Sequence, residues 1–194
     1  GAFIDNNTFI NMDKKGVAIS HLRDQYIRVK DNTLEHYNNN NGFAIYAYNI
    51  ANTNLDISDN NLLRGKVGIQ VENVLPLGQG NFISVENNTI KQYQYGIYTG
   101  LLEAAQINFN TLEDNAAGIS LNDCNKGVVL DNDIIGLTFK QTVGINIQQS
   151  ENNTIKCNFI NNMEHCLYFS GFCPSKLTSN TFGNGDNGIT LDNA

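Results

Sequence analysis

At 194 residues, 41% of them apolar, the chain is long enough to bury one domain's core. Its 12 Lys and Arg are scattered and outnumbered by 19 Asp and Glu, for a formal charge of −7. Attachment to nucleic-acid phosphates, which takes a clustered cationic face, is therefore not expected. No apolar run nears the ~18 residues of a membrane span, and no signal peptide is visible.

Read from its start, the chain repeats one phrase: aliphatic-x-x-Asn-x-aliphatic or Phe. Its Asn positions are Asn7, Asn32, Asn60, Asn88, Asn110, Asn132, Asn158 and Asn180, with spacings of 25, 28, 28, 22, 22, 26 and 22 residues. Seven phrases are followed 8 to 12 residues on by a glycine: Gly16, Gly42, Gly68, Gly96, Gly118, Gly144 and Gly188. Cys166 takes that place in the remaining unit. After each of these positions apolar residues alternate with polar ones, as in Val17/Ile19, Phe43/Ile45, Ile69/Val71, Ile97/Thr99, Ile119/Leu121, Ile145/Ile147, Leu167/Phe169 and Ile189/Leu191. Alternation of this kind marks a half-buried strand.

A repeat of 20 to 50 residues means a stacked array, and 22 residues are too few for a four-stranded propeller blade. The expected fold is all-β: a single-stranded parallel β-helix of about eight coils over residues 1–194, roughly 38 Å long at ~4.8 Å per coil. Asn tolerates the left-handed backbone region and suits corners, and stacked Asn side chains form an amide ladder. Each glycine is expected to let the chain bend tightly. The extra residues of the long coils are expected to bulge outward at His36 to Asn41, Asn49 to Asn54, Asn73 to Asn81 and Gly136 to Val143. The chain starts inside a repeat phrase and stops just after the last glycine strand, as a segment of a longer protein would. Cys124, Cys157, Cys166 and Cys173 lack metal-site spacing. They read as small buried apolar residues, with a disulfide as the alternative.

Units such as Val85 to Ile90 with Gly96-Ile97 resemble the right-handed parallel β-helix repeats of the pectate-lyase-like superfamily. Within it, His165 to Phe169 and Cys173-Pro174 before Leu177 to Phe182 look most like large secreted surface proteins of Bacteroidetes-type bacteria. The resemblance implies a right-handed coil and an extracellular location. It carries no catalytic residue. There is no Asp-Asp pair, none of His21, His36 and His165 lies between glycines, and neither Pro76 nor Pro174 has a lyase's arginines. The copper-associated family of nitrous-oxide-reductase accessory proteins shares the repeat, but scattered histidines with Met12 and Met163 make no soft-ligand cluster. No metal or cofactor is expected.

Outer-face acids are the remaining candidates for acid–base work: Asp56 with Asp59, Glu72, Glu86, and Asp131 with Asp133. Each reads first as a solvated outer residue. More informative are the residues two and four after each glycine, a nearly uncharged strip of amides, hydroxyls and tyrosines. Tyr46, Gln70, Glu72 and Tyr98 are expected on three successive coils. A ring stacks on a sugar's apolar face while amides pair its hydroxyls. The expected function is a non-catalytic extracellular spacer or adhesive surface that binds carbohydrate; the alternative is a polysaccharide lyase or glycoside hydrolase of the resembled superfamily, with its active site partly outside this segment.

Overall fold

The structure, a computed structural model, describes residues 1–37, 41–75, 82–137 and 142–193. The described residues contain strands and turns and no helix. All strand pairs are parallel, and each strand pairs with its counterpart one repeat away. One sheet has eight strands, from Ala2–Asp5 to Lys176–Thr178. The other has fourteen, because Asn61–Leu75 and Thr89–Glu103 each run unbroken where other coils break in two. The chain is thus wound into a parallel β-helix of eight coils, as its period predicts.

The core is a set of stacked aliphatic rows. Val17, Ile45, Ile69, Ile97, Ile119, Ile145 and Leu167 form one, each pairing in register with the next and buried from solvent. Burying a side chain of this size stabilises the fold by about 1.5–3 kcal/mol.

The Asn phrase forms the ladder its spacing implied. From Asn32 to Asn180, each side-chain carbonyl accepts two bonds from the Asn one coil earlier. One comes from the backbone N–H and one from the amide, at 2.9–3.1 Å. The ladder Asn is not, however, the left-handed residue. That conformation falls one position earlier, on Asn6, Asp31, Asp59, Asn87, Phe109, Asp131, Cys157 and Ser179, with φ of 52–58°. The corner is turned by the preceding residue, and the Asn side chain then ties it shut.

The repeat glycines also act differently from expectation. None of them has a positive φ; among the described glycines only Gly65 and Gly171 do. Their task is close approach. A Cβ on Gly96 would lie 2.6 Å from Leu112 Cδ2 and 2.7 Å from the carbonyl of Gly118, and one on Gly118 would lie 2.6 Å from Ile134 Cγ2 and from the Gly144 carbonyl. The glycine row faces the interior beside the aliphatic row that follows it, and two adjacent inward positions leave space only for the smallest residues. Cys166 is tolerated in this row because Gly144 precedes it and Gly188 follows.

One register differs from the sequence reading. Phe43 pairs with Lys15 and Val67, so Ala44, not Gly42, stacks with Gly16 and Gly68. The second coil is therefore offset by two residues, and its inward pair is Ile45/Ala47. Gly42 instead makes room for the buried His36 ring, which a Cβ there would overlap. Residues 49–54 form no bulge. The strand Phe43–Ala51 runs through them to a tight corner at Asn52-Thr53 before Asn54–Ser58 begins. Most of the other three expected bulges lies outside the described residues.

Candidate functional site

The two-residue offset decides the composition of the outer face. Tyr46, Gln70, Tyr98, Ser120, Asn146 and Tyr168 form one continuous row. Tyr48, Glu72, Gly100, Asn122, Gln148 and Ser170 form the next outward row. All four residues expected at the site therefore face outward on three successive coils. Tyr46, Gln70 and Tyr98 share the first row, while Glu72 stands in the second.

Gly100 interrupts the second row. With no side chain between Glu72 and Asn122, a groove of about 270 Å³ opens, lined by Tyr48, Glu72, Asn73, Tyr98, Gly100, Leu101, Asn122 and Asp123. A Cβ on Gly100 would lie 3.3 Å from the Tyr98 ring and 3.4 Å from Glu72 Cγ, so both side chains lean over the gap. Glu72 and Tyr98 thus belong to the groove, whereas Tyr46 and Gln70 flank it. Sequence reasoning missed Tyr48 because the offset hid its row, and it missed Asp123 and Leu101. The available signal was a lone glycine in an outward row of larger residues.

Neighbours hold the aromatic walls in place. Tyr98 packs edge-on against Tyr95 at 5.9 Å, and its hydroxyl accepts a hydrogen bond from Asn122 Nδ2 at 3.3 Å. Tyr48 stacks with Tyr46 at 6.0 Å, and Lys15 Nζ lies 3.9 Å from the Tyr46 ring centre. Burial holds the Tyr98 and Tyr46 hydroxyls above the usual phenol range, and the Glu72 charge adds to this. Among the described residues no Lys or Arg pairs with Glu72.

Three of the other candidate acids are tied to neighbours. Asp59 pairs with Lys30 at 3.4 Å, Asp56 accepts from the Tyr26 hydroxyl at 3.5 Å, and Glu86 accepts from Asn108 Nδ2 at 3.2 Å. Asp131 is a left-handed corner residue. Asp133 stands beside Glu113, and burial pushes its carboxyl above the usual carboxylate range. A larger depression of about 530 Å³ lies among Phe169, Phe172, Leu177, Ile189 and Leu191. It is the exposed apolar end of the stacked core and brings no polar chemistry together.

All three histidines, four cysteines and two methionines are described, and they do not gather. His21 packs edge-on against Tyr48, His36 is buried in the core, and His165 Nδ1 lies 2.8 Å from the Thr190 hydroxyl. The four thiols are free. Burial pushes Cys124 and Cys166 above the usual thiol range, and Cys124 Sγ sits 3.3 Å from Thr99 Oγ1. Cys157 and Cys173 are only half-buried, so the buried-residue expectation holds for two of the four. No group of three or more His, Cys, Asp or Glu is placed to hold a metal among the described residues.

No curated protein matches this chain. A solved structure from Parabacteroides merdae, described as a "putative glycosyl hydrolase", aligns over 89% of this chain and 81% of its own. The two share 12% identity at a TM-score of 0.28, a likeness that bears on neither fold detail nor activity. Residues 53–194, well over half the chain, match the model of the family described as periplasmic copper-binding protein (NosD). Both the tandem Asn-and-Gly coils and that match assign the chain to one family: it belongs to the NosD family of right-handed β-helix proteins.

Proposed function

We propose that this β-helix is an extracytoplasmic, non-catalytic binding surface, and that its outer face holds a carbohydrate chain across Tyr46, Gln70, Glu72 and Tyr98. The observation that carries this reading is the groove over Gly100, walled by Tyr48 and Tyr98 and continuous with rows of amides and hydroxyls on neighbouring coils. Rings give the flat apolar contact a sugar needs, and the polar neighbours pair its hydroxyls. A periodic sheet with ~4.8 Å between coils offers such contacts at regular intervals to a polymer lying along it. The periplasmic family supports the compartment.

Copper, which the family's description names, is not part of this reading. A copper site draws on clustered thioether, thiolate and imidazole donors, and here those donors lie apart. Met12 and His36 do stand in register on adjacent coils. They are only two donors, and both fall outside the matched residues.

A second reading has one observation in its favour. Glu72 and Asp123 both line the groove, and glycoside hydrolysis uses two carboxylates flanking one bond. Incubation with a glycan array, followed by reducing-sugar and unsaturated-product assays, separates the two. Retention of a glycan without cleavage is expected. Cleavage that disappears in Glu72→Gln would replace the binding reading with the hydrolytic one.

A further inference from the structure

Building on the carbohydrate reading, we infer that the groove over Gly100 is a subsite for a protonated amine, so that the preferred glycan carries free amino sugars. The inference starts from the hydrogen-bonding groups left over once the protein's own bonds are counted. Asn122 gives its Nδ2 to the Tyr98 hydroxyl at 3.3 Å, and Asn73 gives its Nδ2 to Asn49 Oδ1 at 3.4 Å. Each amide thus has one of its two N–H groups engaged and its carbonyl oxygen free. The carboxylates of Glu72 and Asp123 add only acceptors, and among the described residues no Lys or Arg lines the groove. The site is therefore rich in acceptors, carries two negative charges, and is flanked by two phenol rings.

An ammonium group answers each of these features. It brings three donors and no acceptor, its charge opposes those of Glu72 and Asp123, and a ring face attracts a cation. A uronic acid would meet two like charges. An N-acetylated sugar would bring an acceptor carbonyl and no charge. A calcium ion would use the oxygens but gain nothing from Tyr48 and Tyr98. The outward rows on either side are nearly uncharged amides and hydroxyls, so one cationic position is embedded in a surface suited to hydroxyl groups.

The test is calorimetric titration of the intact chain with glucosamine oligomers and with their fully N-acetylated counterparts, each with and without EDTA. The amine form is expected to bind about tenfold more tightly, a typical ratio for one charged hydrogen bond with a cation–ring contact. That preference is expected to fade as rising pH removes the amine's proton. Glu72→Gln and Asp123→Asn should each abolish the preference while leaving thermal unfolding unchanged. Both are close in shape, and Asn tolerates the left-handed φ of 52° at position 123.

Equal binding of the amine and acetylated forms overturns the amine inference and leaves the carbohydrate surface standing. Binding that EDTA abolishes overturns it in favour of a metal. A lysine polymer that binds when no sugar oligomer does overturns the amino-sugar assignment and the carbohydrate reading together.

Discussion

Replacing Asn110 with Ala tests the central claim about the fold, that the Asn ladder is a structural spine. Asn110 is 1% exposed. Its Oδ1 accepts from the Asn88 backbone N–H and amide, both at 3.0 Å. Its Nδ2 lies 2.9 Å from the Val85 carbonyl, 3.0 Å from that of Asn108 and 3.0 Å from Asn132 Oδ1. In the Ala variant the Asn88 N–H is buried without an acceptor, at about 1–3 kcal/mol, and two carbonyls and the side-chain amides of Asn88 and Asn132 each lose a partner. Together these losses come to about 3–5 kcal/mol, a large share of the ~5–15 kcal/mol that holds a typical domain. Urea unfolding followed by circular dichroism measures the change. Asn180→Ala is the internal control. Asn180 is half-buried and its own amide donates to one carbonyl, that of Ile155 at 2.9 Å. Water replaces part of what is lost there, so about 1–2 kcal/mol is expected. A cost below 1 kcal/mol for Asn110→Ala, or equal costs at the two positions, would refute the ladder as the source of coil-to-coil stability.

Other outcomes follow from the same geometry. Gly96→Ala forces a methyl against Leu112 and the Gly118 carbonyl and should cost about 1–3 kcal/mol. In Gly188→Ala the nearest atom to the new methyl is 3.7 Å away, so its melting temperature should hardly move. Phe109 is 51% exposed at φ 56°; Phe109→Asn relieves the left-handed strain and should raise stability by about 0.5–1 kcal/mol in the same urea assay. Asp133 has its carboxyl pushed above the ordinary value of 3.8, chiefly by burial and then by Glu113. Proton binding therefore favours the folded state, and its stabilising contribution is complete below pH 3.8 and lost as pH rises through the raised value. Asp133→Asn should remove that fall, seen as a flatter stability–pH profile above the ordinary value of 3.8. Finally, Cys124 and Cys166 should resist alkylation in the native state while Cys157 and Cys173 react first, as mass spectrometry of the labelled peptides would show.

The sequence by itself determined the number of coils, their parallel stacking and the Asn ladder. With a short period and one buried amide per turn, like residues stack, because each Asn carbonyl accepts from the Asn one coil earlier while its own amide reaches the Asn one coil on. It also placed Tyr46, Gln70, Glu72 and Tyr98 on three successive outward strands, since alternation assigns each strand residue a face. Three matters required the tertiary structure. Which residue turns the corner was one, because Phe109, Cys157 and Ser179 occupy left-handed positions that local propensity would not assign to them. The register of the second coil was another, because Gly42 mimics a repeat glycine while serving the His36 ring, and only pairing with Lys15 and Val67 shows Ala44 in the row. The groove was the third. It arises from a missing side chain at Gly100 between residues 28 positions before and 22 after it in sequence, Glu72 and Asn122. A gap of this kind exists only once three coils are laid side by side, so no single stretch of chain records it.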